Sequence, residues 1–465
     1  MNRKLHVAVV GAGPAGIYAC DILSKSGLEV EIDLFEKLPA PYGLVRYGVA
    51  PDHPRIKQII NALYKILERG DIRLLGNVDI GKDVTADELL EHYDAVIYAT
   101  GSDKDAPLDI PGIDLPESYG AADFVYWYDG HPDYPRTWPL QAKEVAVIGV
   151  GNVALDISRV LAKHLKDILV TEIPANVAEG LAENPVTDVH IFGRRGPAQV
   201  KFTPLELREL GQVPDVDVIV YEEDFDFDEG SEQAIRSSNQ TKQLVKTLTD
   251  WTLRDPESFT ASRRIHIHLF HSPVEILGTD HVEGIRTERM KLNGDGSVSG
   301  TGEYIDTPVQ AVYRAIGYFS SPIAGVPFDN EKGVIPNEEG RVFTLEGERV
   351  QRVFATGWVK RGPVGLIGST KSDAQQTIAN LVEDYNAGYL QASGEVGADV
   401  ITTLLDGRGV KYTTWHGWEL LDAYERELGD KYTSEHGVER ERIKVVSREA
   451  MTAISRDEEE IPPLI

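Results

Sequence analysis

The chain has 465 residues, 42% of them hydrophobic and 26% charged, a make-up that fits a globular protein with two or three domains and excludes a disordered or fibrous one. Its 47 basic against 75 acidic side chains give a net charge of -28, which argues against nucleic acid and anionic membranes as partners. A single cysteine excludes an intrachain disulfide, a cysteine metal cage and a reductase with its own Cys-x-x-Cys pair. With no signal-peptide pattern and no apolar run near the roughly 20 residues of a membrane span, a cytoplasmic protein is expected.

Leu5 to Val10 is an apolar run that reads as a buried parallel strand, and Gly11-Ala12-Gly13-Pro14-Ala15-Gly16 follows it, opening an amphipathic helix to about Lys25. In such a loop the first glycine makes the tight turn and the second lets the backbone approach a pyrophosphate. The third lets helix and strand pack closely, with the helix N-terminus facing the phosphate charge. Cys20, inside this helix, reads as a small core residue. The alternating strand Glu29 to Phe35 ends at Glu36, where a carboxylate accepts hydrogen bonds from a ribose diol and repels a 2′-phosphate. FAD or NAD fits this loop and NADP does not. A proline-rich turn leads into the string 43–54, a helix follows from about Arg55 to Glu68, and the strand Asp94 to Tyr98 runs into Ala99-Thr100-Gly101.

Residues 102–140, rich in Pro, Asp and Gly, read as a crossover into a second module. There the strand Val145 to Ile148 precedes Gly149-Val150-Gly151-Asn152-Val153-Ala154, a second phosphate loop, and a long helical connection runs to about Pro174. The strand Val189 to Phe192 ends in Gly193-Arg194-Arg195-Gly196 with no acid at its tip. Paired guanidiniums there suit the 2′-phosphate of NADP, which they can hold by fork-shaped, charge-assisted bonds. The connection from loop to arginines is longer than usual, so an inserted helix or hairpin is expected. The acidic stretch Glu222 to Glu229 reads as a solvated loop.

The second module closes near the strand Ala311 to Ile316, and a second Ala-Thr-Gly at 355–357 echoes the first. The expected fold is therefore α/β with two Rossmann-like dinucleotide-binding domains. The NADP domain, 105–317, is inserted into a split FAD domain, 1–104 and 318–465. The segment Ala355 to Gly368 precedes a helix start at Ser369 to Asp373, whose backbone amides suit a flavin pyrimidine, with Trp358 packed along the ring system. A C-terminal helix, Trp415 to Leu428, carries Trp418, Leu421 and Tyr424 as a core stripe.

The string Gly43-Leu44-Val45-Arg46-Tyr47-Gly48-Val49-Ala50-Pro51-Asp52-His53-Pro54 resembles the adrenodoxin reductase family, as do 151–156, 193–197, Glu206-Leu207-Arg208-Glu209-Leu210 and 357–363. The likeness is closest to the family's bacterial ferredoxin-NADP reductases and spans nearly the whole chain. It implies a non-covalent FAD on Gly11, Gly13, Ala15, Gly16, Glu36, Leu44, Ile80, Trp358, Gly365, Leu366 and Ile367, with Ile80 carried over on alignment alone. It implies NADP on Val150, Gly151, Asn152, Val153, Arg194, Arg195 and Glu206, with Gly365 touching the nicotinamide end.

The resemblance also sets His53 facing the helix of Glu206 and Glu209, so an ion pair of His53 with Glu209 that tunes the flavin is expected. Hydride transfer itself needs no protein acid or base. No metal is expected. The implied reaction passes electrons from NADPH through FAD to a ferredoxin-type iron-sulfur protein, or the reverse. Lys201, Arg208, Lys360 and Arg361 are the expected docking cations. An NADPH diaphorase or quinone reductase and a redox-sensing dinucleotide-binding protein without turnover are the alternatives, with a flavin monooxygenase a weaker third.

Overall fold

The apolar run Leu5–Val10 is buried along its whole length because it lies at the middle of a sheet. The computed structural model describes residues 4–364, 367–392, 394, 396–397 and 399–465. The chain divides into two units, one of Met1–Lys104, Asp129–Asp133 and Tyr318–Ile465, the other of Asp105–Tyr128 and Tyr134–Gly317.

In the first unit the described residues form a seven-stranded sheet in the order Asn337–Glu338, Arg341–Phe343, Arg349–Ala355, Ala95–Tyr98, Leu5–Val10, Val30–Phe35, Ile72–Leu75. From Arg349–Ala355 onward every pairing is parallel. Val7 faces Ile32 on one side and Ala95 on the other, so the chain winds outward from Leu5–Val10 in one direction and later returns in the other. The carboxyl ends at that reversal are where open α/β sheets take their ligands. Ala8, Val10, Phe35, Val96, Tyr98 and Val353 form the core beneath. On the helix Trp415–His436 the buried face is Trp418, Leu421, Glu425 and Gly429, while Tyr424 is half-buried. The stripe thus includes a buried acid that hydrophobic spacing did not reveal.

In the second unit six parallel strands run in the order Ser118–Gly120, Ala311–Arg314, Glu144–Ile148, Asp188–Phe192, Arg263–His268, Val216–Val220. A separate antiparallel sheet comprises His271–Leu277, Gly284–Leu292 and Val298–Pro308. The long link between the phosphate loop and the arginine pair is helical, holding Asn152–Ala162, Leu165–Ile168 and Ala175–Ala182.

Three local expectations change. The helix expected over 55–68 is two pieces, Pro54–Lys57 and Ile59–Leu67. The stretch 102–140 is more than a crossover, because Ala121–Tyr128 is a helix that buries Phe124, Trp127 and Tyr128. The acidic stretch is only partly solvated: Asp224 is buried, accepts the Leu269 N–H at 2.8 Å and pairs with Arg289, while Asp228 caps the helix Glu229–Ser237. Cys20 is fully buried, as its place in an apolar helix face requires. Among the described residues no helix is long and apolar enough to cross a membrane.

Candidate functional site

In the first unit the loop after Leu5–Val10 is held from several sides. The Gly11 N–H donates to the Phe35 carbonyl at 2.8 Å, and the Ala12 N–H to Glu36 Oε2 at 2.9 Å. A Cβ on Gly11 would come 2.5 Å from the Ala99 carbonyl oxygen, and one on Gly16 would come 1.9 Å from that of Gly11. Gly13 differs: its nearest neighbour would be the Gly43 Cα at 3.8 Å, so this edge of the loop stays open. A pyrophosphate needs that combination of a tight turn, a close helix and one bare backbone edge.

Glu36 stands at the tip of Val30–Phe35, where its Oε1 also accepts the Leu38 N–H at 3.1 Å. Burial pushes its carboxyl above the usual range, opposed by the N–H groups of Leu38, Ala12 and Lys37. The two oxygens take these backbone donors and keep acceptor capacity for a ribose hydroxyl. Leu44 is half-buried in the short helix Leu44–Tyr47, Ile80 is buried, and Trp358 opens the short helix Trp358–Arg361, half-buried. Gly365 and Leu366 lie outside the described residues, and of Ile367 only the backbone is described, at the start of the helix Ile367–Asn386.

Two residues that hold this site were not singled out as ligands by the sequence. Tyr42 adopts φ +85°, a left-handed conformation costly for an aromatic residue, and its N–H donates to the Ala12 carbonyl at 2.8 Å. Asp373 accepts the Gly357 N–H at 2.6 Å and the Thr356 hydroxyl at 3.0 Å, fixing the second Ala-Thr-Gly turn. A Cβ on Gly357 would come 2.6 Å from that of Ala15, so the turn abuts the phosphate loop's helix. The helix-start reading of Ser369 to Asp373 carried a trace of the Asp373 signal; nothing local marked Tyr42.

Asp373 also corrects the docking expectation for Lys360. That lysine is buried and lies 3.0 Å from Asp373, with Gln376 as a further partner at 2.8 Å. It therefore presents no cation to a partner. Lys201 and Arg208 are exposed, and Arg361 is half-buried with its Nε 3.8 Å from Asp373.

In the second unit the same geometry recurs. A Cβ on Gly149 would come 2.1 Å from the Ala315 carbonyl oxygen, whereas one on Gly151 would meet nothing within 4 Å. Val150 and Asn152 anchor the loop: the Val150 carbonyl accepts the Lys201 N–H at 2.8 Å, and Asn152 Oδ1 the Thr203 N–H at 2.8 Å. Val153 continues into the helix Asn152–Ala162. Arg194 and Arg195 follow the strand next to the loop's own, both exposed and with no ion-pair partner among the described residues. Two free guanidiniums on the strand adjoining an open glycine edge fit a 2′-phosphorylated dinucleotide. Glu206 is buried in the helix Pro204–Leu210, 3.8 Å from Arg159.

The arginine turn is backed by histidines. His271 donates its N–H to the Gly193 carbonyl at 2.9 Å, and Phe270 to that of Arg195 at 3.2 Å. Nearby, His190 stacks on His266 with ring centroids 4.5 Å apart, and its Nδ1 lies 3.0 Å from His268 Nε2. Burial, with neighbouring charge, pulls His190 and His271 down to about 4 and His268 to about 2. All three are neutral at pH 7. His268, His271 and Asp224 bring ligand atoms within 4.8 Å of one another, but the Arg289 guanidinium on Asp224 opposes a metal cation there.

His53 stands at the N-cap position of the short helix Pro54–Lys57 in the first unit, and Glu209 lies half-buried in Pro204–Leu210 in the second.

The pyridine nucleotide-disulphide oxidoreductase family matches residues 5–187, although this chain's lone buried cysteine offers no dithiol. The chain is 40% identical over 461 residues to NADPH-ferredoxin reductase FprA of Mycobacterium tuberculosis, covering 96% of this chain and 98% of that protein. It is 36% identical over 444 residues to the mitochondrial NADPH:adrenodoxin oxidoreductase of Arabidopsis thaliana, covering 92% of each. The solved structure of Mycobacterium tuberculosis FprA in complex with NADPH superimposes with a TM-score of 0.89 at 37% identity, over 98% of this chain and 100% of that one.

Proposed function

Because this chain belongs to the family of NADPH-ferredoxin and NADPH:adrenodoxin reductases, we propose which of its residues carry out the NADPH-dependent, flavin-mediated transfer of electrons to a ferredoxin-type iron-sulfur protein. When bound, FAD would supply the chemistry that joins a two-electron hydride donor to a one-electron acceptor.

In the first unit Gly11, Gly13 and Gly16 shape the pyrophosphate bed, with Ala15 behind it. Glu36 takes the adenosine ribose, and Leu44, Ile80, Trp358 and the segment Gly365 to Ile367 border the flavin. In the second unit Val150 to Val153 carry the NADP pyrophosphate, and Arg194 and Arg195 read its 2′-phosphate. Glu206, buried beside Arg159, completes the NADP site. His53 tunes the flavin, and its replacement by glutamine changes the rate of flavin reduction or the flavin potential while FAD stays bound. Wild-type reduction kinetics and potential would leave His53 a turn residue.

The observation that carries the reading is the opposite chemistry at the two strand tips: a buried carboxylate after Val30–Phe35 and two exposed guanidiniums after Asp188–Phe192. The first rejects a 2′-phosphate and the second requires one. We place the protein in the cytoplasm, which the lack of any disulfide-capable cysteine pair supports. The test is the identity of the bound pigment and the preferred nucleotide. Acid-released FAD with bleaching by NADPH at concentrations where NADH is ineffective is expected; released FMN, or equal use of both nucleotides, would refute the assignment.

A further inference from the structure

Arg46 lies within the string 43–54, in the short helix Leu44–Tyr47, and is buried. Its guanidinium forks onto Glu425 of the helix Trp415–His436: Nη1 donates to Oε2 at 3.0 Å and Nη2 to Oε1 at 2.5 Å. Glu425 is itself fully buried and also accepts the Val445 N–H at 2.9 Å and Arg442 Nη1 at 3.4 Å. Arg442 keeps a second partner in Asp422 at 2.6 Å, whereas Arg46 has Glu425 as its carboxylate and an Nε with no partner among the described residues. Lys444 Nζ donates to the Arg46 carbonyl at 2.7 Å, so charge and backbone are tied to the same C-terminal segment.

The loop so held abuts the phosphate loop. Tyr42 bonds Ala12, and a Cβ on Gly43 would come 3.0 Å from the Gly13 Cα. Taking one partner from a buried ion pair strands the other charge in a medium where it acts at long range. A stranded guanidinium beside a flavin favours the form with the extra electrons.

We propose that Glu425 is a positioning residue for the flavin: through Arg46 it fixes the 43–48 loop against the phosphate loop, and by pairing the guanidinium it holds the flavin's potential down. The proposal rests on the reading that the first unit holds FAD with Leu44, two residues from Arg46, at its edge.

The experiment uses the full-length holoenzyme as wild type, Glu425→Gln, Arg46→Gln and the double variant. It measures FAD dissociation and the flavin's two-electron potential by equilibration with a reference dye. Glu425→Gln should weaken FAD binding at least tenfold and raise the reduced-to-oxidised ratio at a fixed dye poise about tenfold, or about 30 mV for a two-electron couple. Arg46→Gln leaves the excess negative charge instead and should shift the ratio the opposite way. The double variant, in which two amides can still bond, should return the potential to within about threefold of wild type.

Wild-type potential in both single variants, or shifts of the same sign, would overturn the proposal, because a packing defect has no charge sign. Should Glu425→Gln fail to accumulate, Arg46→Gln against the double variant gives the same test, and the double must have the higher potential. A wild-type protein that binds no FAD would overturn the reading of the unit instead.

Discussion

Gly13 and Gly16 sit three residues apart in one loop, yet replacing each by alanine should have separable effects. At Gly16 the new Cβ would lie 1.9 Å from the Gly11 carbonyl oxygen, so the helix Pro14–Ser24 must move away from the turn by more than an ångström. Forced overpacking of this kind costs about 1–3 kcal/mol, which for a unit of this size lowers the melting temperature by roughly 2–4 °C per kcal/mol. At Gly13 the backbone φ is -78°, open to alanine, and the nearest atom is 3.8 Å away. Protein without FAD should therefore melt within a few degrees of wild type, since such a substitution at a compatible position changes stability by about 0.4–1 kcal/mol. The methyl would nonetheless stand on the edge where a pyrophosphate meets the backbone. FAD affinity should fall at least about tenfold, or 1.4 kcal/mol. Calorimetry of flavin-stripped protein and titration of FAD by fluorescence quenching measure the two effects. If Gly13→Ala binds FAD as wild type does, the pyrophosphate does not lie on this loop; if Gly16→Ala loses no stability, the steric argument fails.

Arg194 and Arg195 are exposed, so each charge-assisted bond belongs near the lower end of its range, about 1.5 kcal/mol; replacing both by alanine should raise KM for NADPH roughly a hundredfold and leave that for NADH nearly unchanged. Equal losses with both nucleotides would show that the arginines do not read the phosphate. His190 and His271 titrate at about 4 in the folded unit against 6.5 for a free imidazole. Between those values the unfolded chain binds more protons, so stability is full above about pH 6.5 and declines as pH falls toward 4, by up to about 1.4 kcal/mol per pH unit for each histidine. His190→Gln should flatten that decline in denaturant titrations at pH 4.5 and 7; an unchanged slope would remove His190 from the account. Reduction of an acidic ferredoxin should slow with salt as the Debye length shrinks from about 10 Å at 0.1 M to about 3 Å at 1 M. Arg208→Glu should mimic that loss, and an Arg208 variant as fast as wild type would move the docking cations elsewhere.

Both phosphate loops were legible because each follows a strand buried on both faces, Leu5–Val10 or Glu144–Ile148, and such strands read as near-continuous apolar runs. The arginine pair was legible for a related reason: it ends Asp188–Phe192, every residue of which is buried. The antiparallel sheet His271–Pro308 left no such trace, since Val298–Pro308 is mostly exposed and alternates little. Ile72–Leu75, four residues long, is too short for periodicity to mark. The helix Ala121–Tyr128 hid among turn residues because its aromatics are buried nearly all round and show no polar face. Least legible were the polar contacts that brace the flavin loop. Arg46 and Glu425 are 379 positions apart, and a buried ion pair looks in sequence like two surface charges.

The central claim is tested most directly by anaerobic stopped-flow mixing of the FAD holoenzyme with NADPH and then with either a ferredoxin-type iron-sulfur protein or an uncharged quinone. The account predicts bleaching of the flavin by NADPH far faster than by NADH, then re-oxidation by the iron-sulfur protein faster than by the quinone, with only the former slowed by salt. Bleaching followed by equal, salt-independent re-oxidation by both acceptors would contradict it and leave a diaphorase; no bleaching at all would leave a dinucleotide-binding protein without turnover.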